Sequence, residues 1–100
     1  MKKFDGKSNA YGKIIEKCRK SKNMSRADVS RELDLIDVPI NPDELYRIER
    51  QNMILKDYEL IAICMILDID YNDLIKVIKK KGWKSIVGVE NLKSFLPQLF

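Results

Sequence analysis

The chain has 100 residues, of which 45% are hydrophobic and 34% are charged, so it is long enough for one domain with one apolar core. The longest apolar run, residues 60–67, is far shorter than the ~18 residues of a membrane span. The basic N-terminus is not followed by the apolar stretch that a signal peptide needs. We therefore expect a cytoplasmic protein with no membrane partner.

The charge of +4 is unevenly distributed along the chain. Residues 1–24 hold eight Lys/Arg and two Asp/Glu (+6), residues 25–75 hold five Lys/Arg and twelve Asp/Glu (−7), and residues 76–100 hold six Lys/Arg and one Asp/Glu (+5). Basic ends suit phosphate, whereas the acidic middle does not.

The two cysteines, Cys18 and Cys64, and the absence of histidine limit the possible chemistry. A tetrahedral zinc site needs four nitrogen or sulfur ligands, and a structural disulfide is not expected in a reducing compartment. Both cysteines are therefore predicted to be small core residues. Histidine, the usual general base, is missing, and no GxSxG, P-loop or paired-cysteine motif is present. We expect neither an enzymatic activity nor a cofactor.

The first half of the chain predicts a flexible basic arm and three helices. The arm covers residues 1–8, and a helical apolar pattern begins at Asn9. Ser25 is a good N-cap for a second helix, with Asp28 placed to complete a capping box. Residues 41–44, with the sequence NPDE, are the clearest helix start, because asparagine caps, proline takes the first helical position and glutamate closes the box. The predicted core positions are Tyr11, Ile14, Ile15 and Cys18, then Val29 and Leu33, then Leu45 and Ile48.

The second half of the chain predicts two further helices. After a loop at residues 51–56, Asp57 should cap a fourth helix that runs to Leu67 and is apolar nearly all round, as expected of a central buried helix. Residues 70–73, with the sequence DYND, should start a fifth helix with lysines in its last turn, and Gly82 should end it. No strand-like alternation persists, so the predicted fold class is all-α. The apolar positions of the fifth helix are Leu74, Ile75, Val77 and Ile78.

An apolar extension follows, so the predicted organisation is an arm at residues 1–8, a domain at residues 9–82 and an extension at residues 83–100. Residues 90–96 should form a short extra helix that Pro97 ends. An extension this apolar needs a surface to cover, which is either its own core or a dimer interface. Its apolar residues include Val87, Leu92, Phe95, Leu96, Leu99 and Phe100.

Three stretches, taken in order and spacing, resemble the Cro/repressor helix-turn-helix family, also called the Xre family. They are YGKIIEKCRKSKNMSRADVSREL, INPDELYRIERQ and KDYELIAICMILDIDYNDLI, and they span about residues 11–75. The resemblance implies a lambda-repressor-like fold of five helices, in which the third helix, Asn41–Gln51, enters the major groove. It therefore implies a sequence-specific regulator of transcription, repressor-like, that binds double-stranded DNA.

Family positions carried onto this sequence predict which residues contact DNA. Arg47 is the best candidate to read a base, since arginine can bind guanine through two hydrogen bonds; alternatively it is a solvated charge paired with Asp43. Arg26 should hold a phosphate at the start of the second helix; alternatively it is a surface cation in the first turn. Asn41 and Glu44 have capping as a sufficient alternative role. The predicted DNA-binding set is Arg26, Asn41, Asp43, Glu44, Tyr46, Arg47, Arg50 and Lys56.

Two further features follow from the resemblance. Arg19 and Glu49 match a family pair that bridges the first and third helices, so they are predicted to form a structural ion pair. Six residues lie between Leu33 and Ile40, where the commonest members hold one, and Pro39 forces a break there. The turn of the helix-turn-helix is therefore predicted to be longer than usual.

One recognition helix reads few base pairs, and repressors of this type pair two half-sites ~34 Å apart. We therefore expect a homodimer formed by the fifth helix and the extension. The alternative is a protein-interaction module, antitoxin-like, in which the helix-turn-helix scaffold has lost DNA affinity and the acidic middle docks a basic partner.

Overall fold

The computed structural model describes residues 6–80, and this range contains five α-helices and no β-strand. The predicted all-α fold of five helices is confirmed. No helix within the range is long and apolar enough to cross a membrane. The predictions for residues 1–5, for Gly82 and for the extension at residues 83–100 lie outside the described residues. The helices are α1 (Gly12–Ser21), α2 (Arg26–Leu35), α3 (Pro42–Glu49), α4 (Asp57–Leu67) and α5 (Tyr71–Lys80).

Both predicted capping boxes are present. The Ser25 hydroxyl accepts from the Asp28 N–H at 3.0 Å, and the Asp28 carboxylate accepts from the Ser25 N–H at 2.8 Å. That backbone hydrogen bond is the main reason why the pKa of Asp28 lies below its usual value. Asn41 and Glu44 exchange the same two bonds at 2.8 and 3.1 Å, with Pro42 at the first position of α3. Local sequence therefore fixes where the two helices of the motif begin.

Three predicted helix boundaries were wrong. α1 begins at Gly12 and not at Asn9, which lies before the helix and accepts through its side chain from the N–H groups of Tyr11 and Gly12. α3 ends at Glu49, and Gln51 has a left-handed φ of 63° that stops the helix. The residue before α4 is Lys56, whereas Asp57 was predicted to cap this helix.

The reason for the shift at α4 is a carboxylate from within the helix. Glu59 accepts from the Lys56 N–H at 2.9 Å, which closes the first turn one residue earlier than predicted. The Asp57 carboxylate instead accepts from the adjacent Tyr58 N–H at 2.6 Å.

The core lies where α1, α2, α3 and α4 meet. α4 was predicted to be buried all round, but within the described residues it buries only one face. Its opposite face carries Tyr58, Ile61 and Met65, and Met65 is 67% exposed. The helices that pack closely against α4 are α1 and α2, while α5 contributes no fully buried residue. The buried apolar residues are Ile15, Val29, Leu33, Ile40, Leu45, Ile48, Ala62, Ile63, Leu67 and Ile69.

The long turn between α2 and α3 is ordered by hydrogen bonds at both ends. Leu33 accepts through its carbonyl from the N–H groups of Ile36 and Val38, at 3.1 and 3.0 Å. The buried Ser30 hydroxyl donates to the Ile40 carbonyl at 2.7 Å. The chain at Ile40 is thus tied to the middle of α2, which fixes the start of α3.

Candidate nucleic-acid interface

One face of α3 is anchored in the core and the other is open to solvent. Leu45 and Ile48 are fully buried on one side of the helix, so the residues on the opposite side point outward. This open face has an acidic beginning and a basic end. Its exposed members are Asp43, Tyr46, Arg47 and Arg50.

Arg47, the predicted base reader, forms an ion pair with Asp43 one turn earlier, with 2.8 Å between the guanidinium and a carboxylate oxygen. Both side chains are well exposed, so this pair adds little stability. The contact orients one edge of the guanidinium along α3 and leaves its other donors toward solvent. The pair fits both roles foreseen for Arg47, a contact to a base and a solvated surface charge.

Beneath this face lies a buried carboxylate. The Glu49 side chain has no solvent exposure, and the Arg19 guanidinium binds both of its oxygens, at 2.7 and 3.1 Å. Arg19 also donates to the Met24 carbonyl at 2.9 Å. The hydrogen bond to Glu49 raises the pKa of Arg19 above its usual value, although burial opposes the shift. The predicted structural pair is therefore in contact and joins α1 to α3.

Arg26 is a third member of this cluster, which the sequence reasoning missed. Its Nε donates to Glu49 at 3.0 Å, and its terminal nitrogen lies 3.6 Å from Glu16. The side chain is 31% exposed. Arg26 was predicted to hold a phosphate from the first turn of α2; the structure places it against two carboxylates at the surface of the cluster. Only the tertiary fold brings these residues of three helices together, so their spacing in sequence carried no signal.

Tyr46 connects this cluster to the open face. The guanidinium carbon of Arg26 lies 4.9 Å from the centre of the Tyr46 ring, and that of Arg50 lies 5.9 Å from it. Both distances are within the range of a cation–π interaction. One tyrosine therefore contacts the first residue of α2 and the residue that follows α3.

The remaining predicted site residues lie around the same surface. Asn41 and Glu44 are engaged in their capping box, which accounts for both residue types without DNA. Lys56 is exposed just before α4, with its ammonium 5.9 Å from the Tyr58 ring centre. The structure thus brings Arg26, Tyr46 and Arg50 together. Arg47 is exposed on α3 beside Asp43, and Lys56 lies in the loop that follows.

A buried asparagine, also missed from the sequence, ties the N-terminal segment to the end of α3. The Asn9 amide donates to the carbonyls of Ile48 and Met53 at 3.0 and 2.9 Å. The Gln51 amide donates back to the Asn9 carbonyl at 3.1 Å, and the Ser8 N–H donates to the Gln51 carbonyl at 3.0 Å. An asparagine just before a helical pattern signals a cap, but its partners about 40 residues away leave no local trace. Residue 8, placed in the flexible arm, is fixed here.

An apolar groove of about 400 Å³ lies between α4 and α5. Cys64 lines the groove, and burial raises the pKa of both cysteine thiols, so they are protonated at neutral pH. Within residues 6–80, no cluster of acidic or cysteine side chains could hold a metal ion. The main apolar lining residues are Leu60, Ile61, Cys64, Met65, Ile69 and Leu74.

No protein-family model, curated protein or solved structure matches this chain. The resemblance to the Cro/repressor family therefore stays a prediction that depends on the motifs alone.

Proposed function

We propose that this chain is a sequence-specific regulator of transcription of the Cro/repressor type, which binds double-stranded DNA in the cytoplasm through α3. One observation carries the proposal: α3 is held in the core by Leu45, Ile48 and Glu49, while its opposite face presents Tyr46 and Arg47 to solvent. A helix fixed on one side and open on the other is what insertion into the major groove requires.

Each exposed residue then has a task that fits its chemistry. Arg47 reads guanine O6 and N7, a contact worth about 1–3 kcal/mol of discrimination. Asp43, 2.8 Å from Arg47, orients that guanidinium and is the group positioned to accept from a cytosine N4. Arg50 and Lys56 bind flanking phosphates, which fixes the register of the helix on the duplex. None of these tasks needs a cofactor or a catalytic group.

The experiment is selection of binders from a random duplex library by the purified chain and by an Arg47→Ala variant. We expect a two-fold symmetric site, in which the variant loses preference at one G·C position per half-site. Arg31→Ala is the matched control, because Arg31 is an exposed arginine on α2 paired with Asp28 at 3.3 Å, and it should select the same site as the unmodified chain. A folded chain that enriches no sequence at low salt would refute the proposal.

A protein-interaction module, including an antitoxin-type protein, is the second candidate. The exposed apolar side chains of α4 favour it, because a patch of this kind marks a protein interface more often than a nucleic-acid interface. Salt separates the two functions: binding to several DNA phosphates loses orders of magnitude in affinity between about 50 and 200 mM salt. Docking on the apolar face should change little over that range.

A further inference from the structure

We propose that Tyr46 is a positioning residue, whose ring holds Arg26 and Arg50 side by side as one binding site for phosphate groups of a nucleic-acid backbone. The inference rests on the proposed function and deepens it. Tyr46 then acts through its neighbours and not by reading a base.

The geometry distinguishes Tyr46 from the other residues of the open face. It is the one residue of α3 whose ring lies within cation–π distance of two guanidinium groups, at 4.9 Å for Arg26 and 5.9 Å for Arg50. Tyr46 is 45% exposed, so the ring contacts both arginines at the protein surface. The two arginines belong to different parts of the motif, so the ring joins the start of α2 to the end of α3.

The charges around the ring do not balance, and the excess is positive. Glu49 is shared between Arg19 and Arg26, so two guanidinium groups face one buried carboxylate. Glu16 lies farther from Arg26, at 3.6 Å, and is shared with Lys20 at 3.5 Å. Among the ion pairs of residues 6–80, none includes Arg50. The site therefore has guanidinium donors and an excess of positive charge at the surface.

Phosphate is the anion that this site suits. Arginine presents parallel N–H donors that match phosphate oxygens, and the weak hydration of guanidinium allows it to stack on an aromatic ring while it binds. A free arginine loses rotamer freedom when it binds, whereas one already held against a ring loses less. The ring therefore raises the affinity of both arginines for phosphate without touching the phosphate itself.

The test compares Tyr46→Leu, which removes the ring, with Tyr46→Phe, which removes only the hydroxyl. DNA affinity is measured from 50 to 200 mM salt on a selected duplex and on an unrelated duplex. We expect Tyr46→Leu to weaken binding to both duplexes about three- to tenfold and to lower the salt slope by about one, although both arginines remain. Tyr46→Phe should behave as the unmodified chain.

The control is Leu35→Ala, since Leu35 is an uncharged side chain of high exposure, 75%, at the end of α2 and outside the helices expected to form the dimer. It should leave the salt slope unchanged. A Tyr46→Leu variant with the unmodified slope overturns the inference and leaves the proposed function intact. A loss of affinity confined to the selected duplex would also overturn the inference, because it would make Tyr46 a residue that reads a base.

A second measurement does not depend on DNA. Inorganic phosphate is titrated into the chain while the Nε–H signals of Arg26 and Arg50 are followed by NMR. We expect both signals to shift together in the unmodified chain and in Tyr46→Phe, and to lose most of the shift in Tyr46→Leu. Shifts with phosphate but no duplex binding would support the site and refute the proposed function. No shift at either arginine would overturn the site.

Discussion

At the scale of single residues, Glu49 is the side chain on which most of the candidate interface depends. It lies on the buried side of the proposed recognition helix, and its carboxylate holds Arg19 from α1 and Arg26 from α2. A buried carboxylate is tolerated only while it is paired and hydrogen-bonded. The orientation of α3 and the position of Arg26 at the surface are therefore set by the same two oxygen atoms.

Glu49→Gln should lower the free energy of unfolding by about 3 kcal/mol, because it leaves the buried Arg19 guanidinium without its anion. Glu16→Gln is the matched control: Glu16 also faces Arg26 but is 27% exposed, so its loss should cost less than about 1 kcal/mol. Urea unfolding of the two variants measures the difference. Equal costs would contradict the view that Glu49 is the centre of the cluster. Weak DNA binding by a Glu49 variant would by itself be no evidence of a DNA contact.

At the scale of helices, the first turn of α1 lies against the last turn of α3 with no room for a side chain at Gly12. A Cβ atom built on Gly12 would lie 2.2 Å from the Ile48 carbonyl oxygen and 2.8 Å from that of Glu49. Both are backbone atoms, which cannot rotate away as a side chain can. The absence of a side chain at Gly12 therefore sets the distance between α1 and the proposed recognition helix.

Gly12→Ala should change the stability of the protein in the opposite direction from the usual glycine-to-alanine substitution in a helix. Alanine normally stabilises a helix by about 1 kcal/mol over glycine, but here it should destabilise the protein by about 1–3 kcal/mol, because the two helices must move apart. Thermal unfolding measures the change. Lys13→Ala, at the exposed next position, is the control and should have little effect. A higher melting temperature for Gly12→Ala would contradict the prediction, because it would show that α1 and α3 accommodate the added methyl group.

The starts of α2 and α3 were predictable because their capping boxes depend on residues three positions apart, and both boxes formed as predicted. The contact of Arg19 with Glu49, 30 positions away, was predicted only through the family resemblance. Other contacts between distant segments were not predictable from the sequence. The hydrogen bonds of Asn9 to the end of α3 and the position of Arg26 beside Tyr46 depend on how the helices cross, and no local sequence pattern indicates that crossing.

At the scale of the whole molecule, the described residues leave an apolar surface on α4 and in the groove between α4 and α5. Tyr58, Ile61 and Met65 are exposed on α4, and the apolar residues of α5 are only partly buried. Surfaces of this kind are usually covered by another chain or segment. The homodimer predicted from the sequence would cover this surface, and it would place two α3 helices on successive half-sites.

We expect the full chain to sediment as a dimer at tens of micromolar, and a chain lacking residues 88–100 to sediment as a monomer, because the removed residues are largely apolar. A chain lacking residues 1–5, which are mostly polar, is the control and should remain dimeric. A full chain that sediments as a monomer, or a dimer that persists without residues 88–100, would refute the proposed interface.

The hydrogen bonds of the Asn9 amide to the Ile48 and Met53 carbonyls affect the order in which the protein is expected to fold. These bonds reach residues 39 and 44 positions away, whereas the caps of α2 and α3 close over three residues. A long loop must close before these distant hydrogen bonds can form, so we expect the local turns to form first and the Asn9 hydrogen bonds later. We therefore expect the end of α3 and the loop leading to α4 to become rigid late in folding, when the N-terminal segment packs against them.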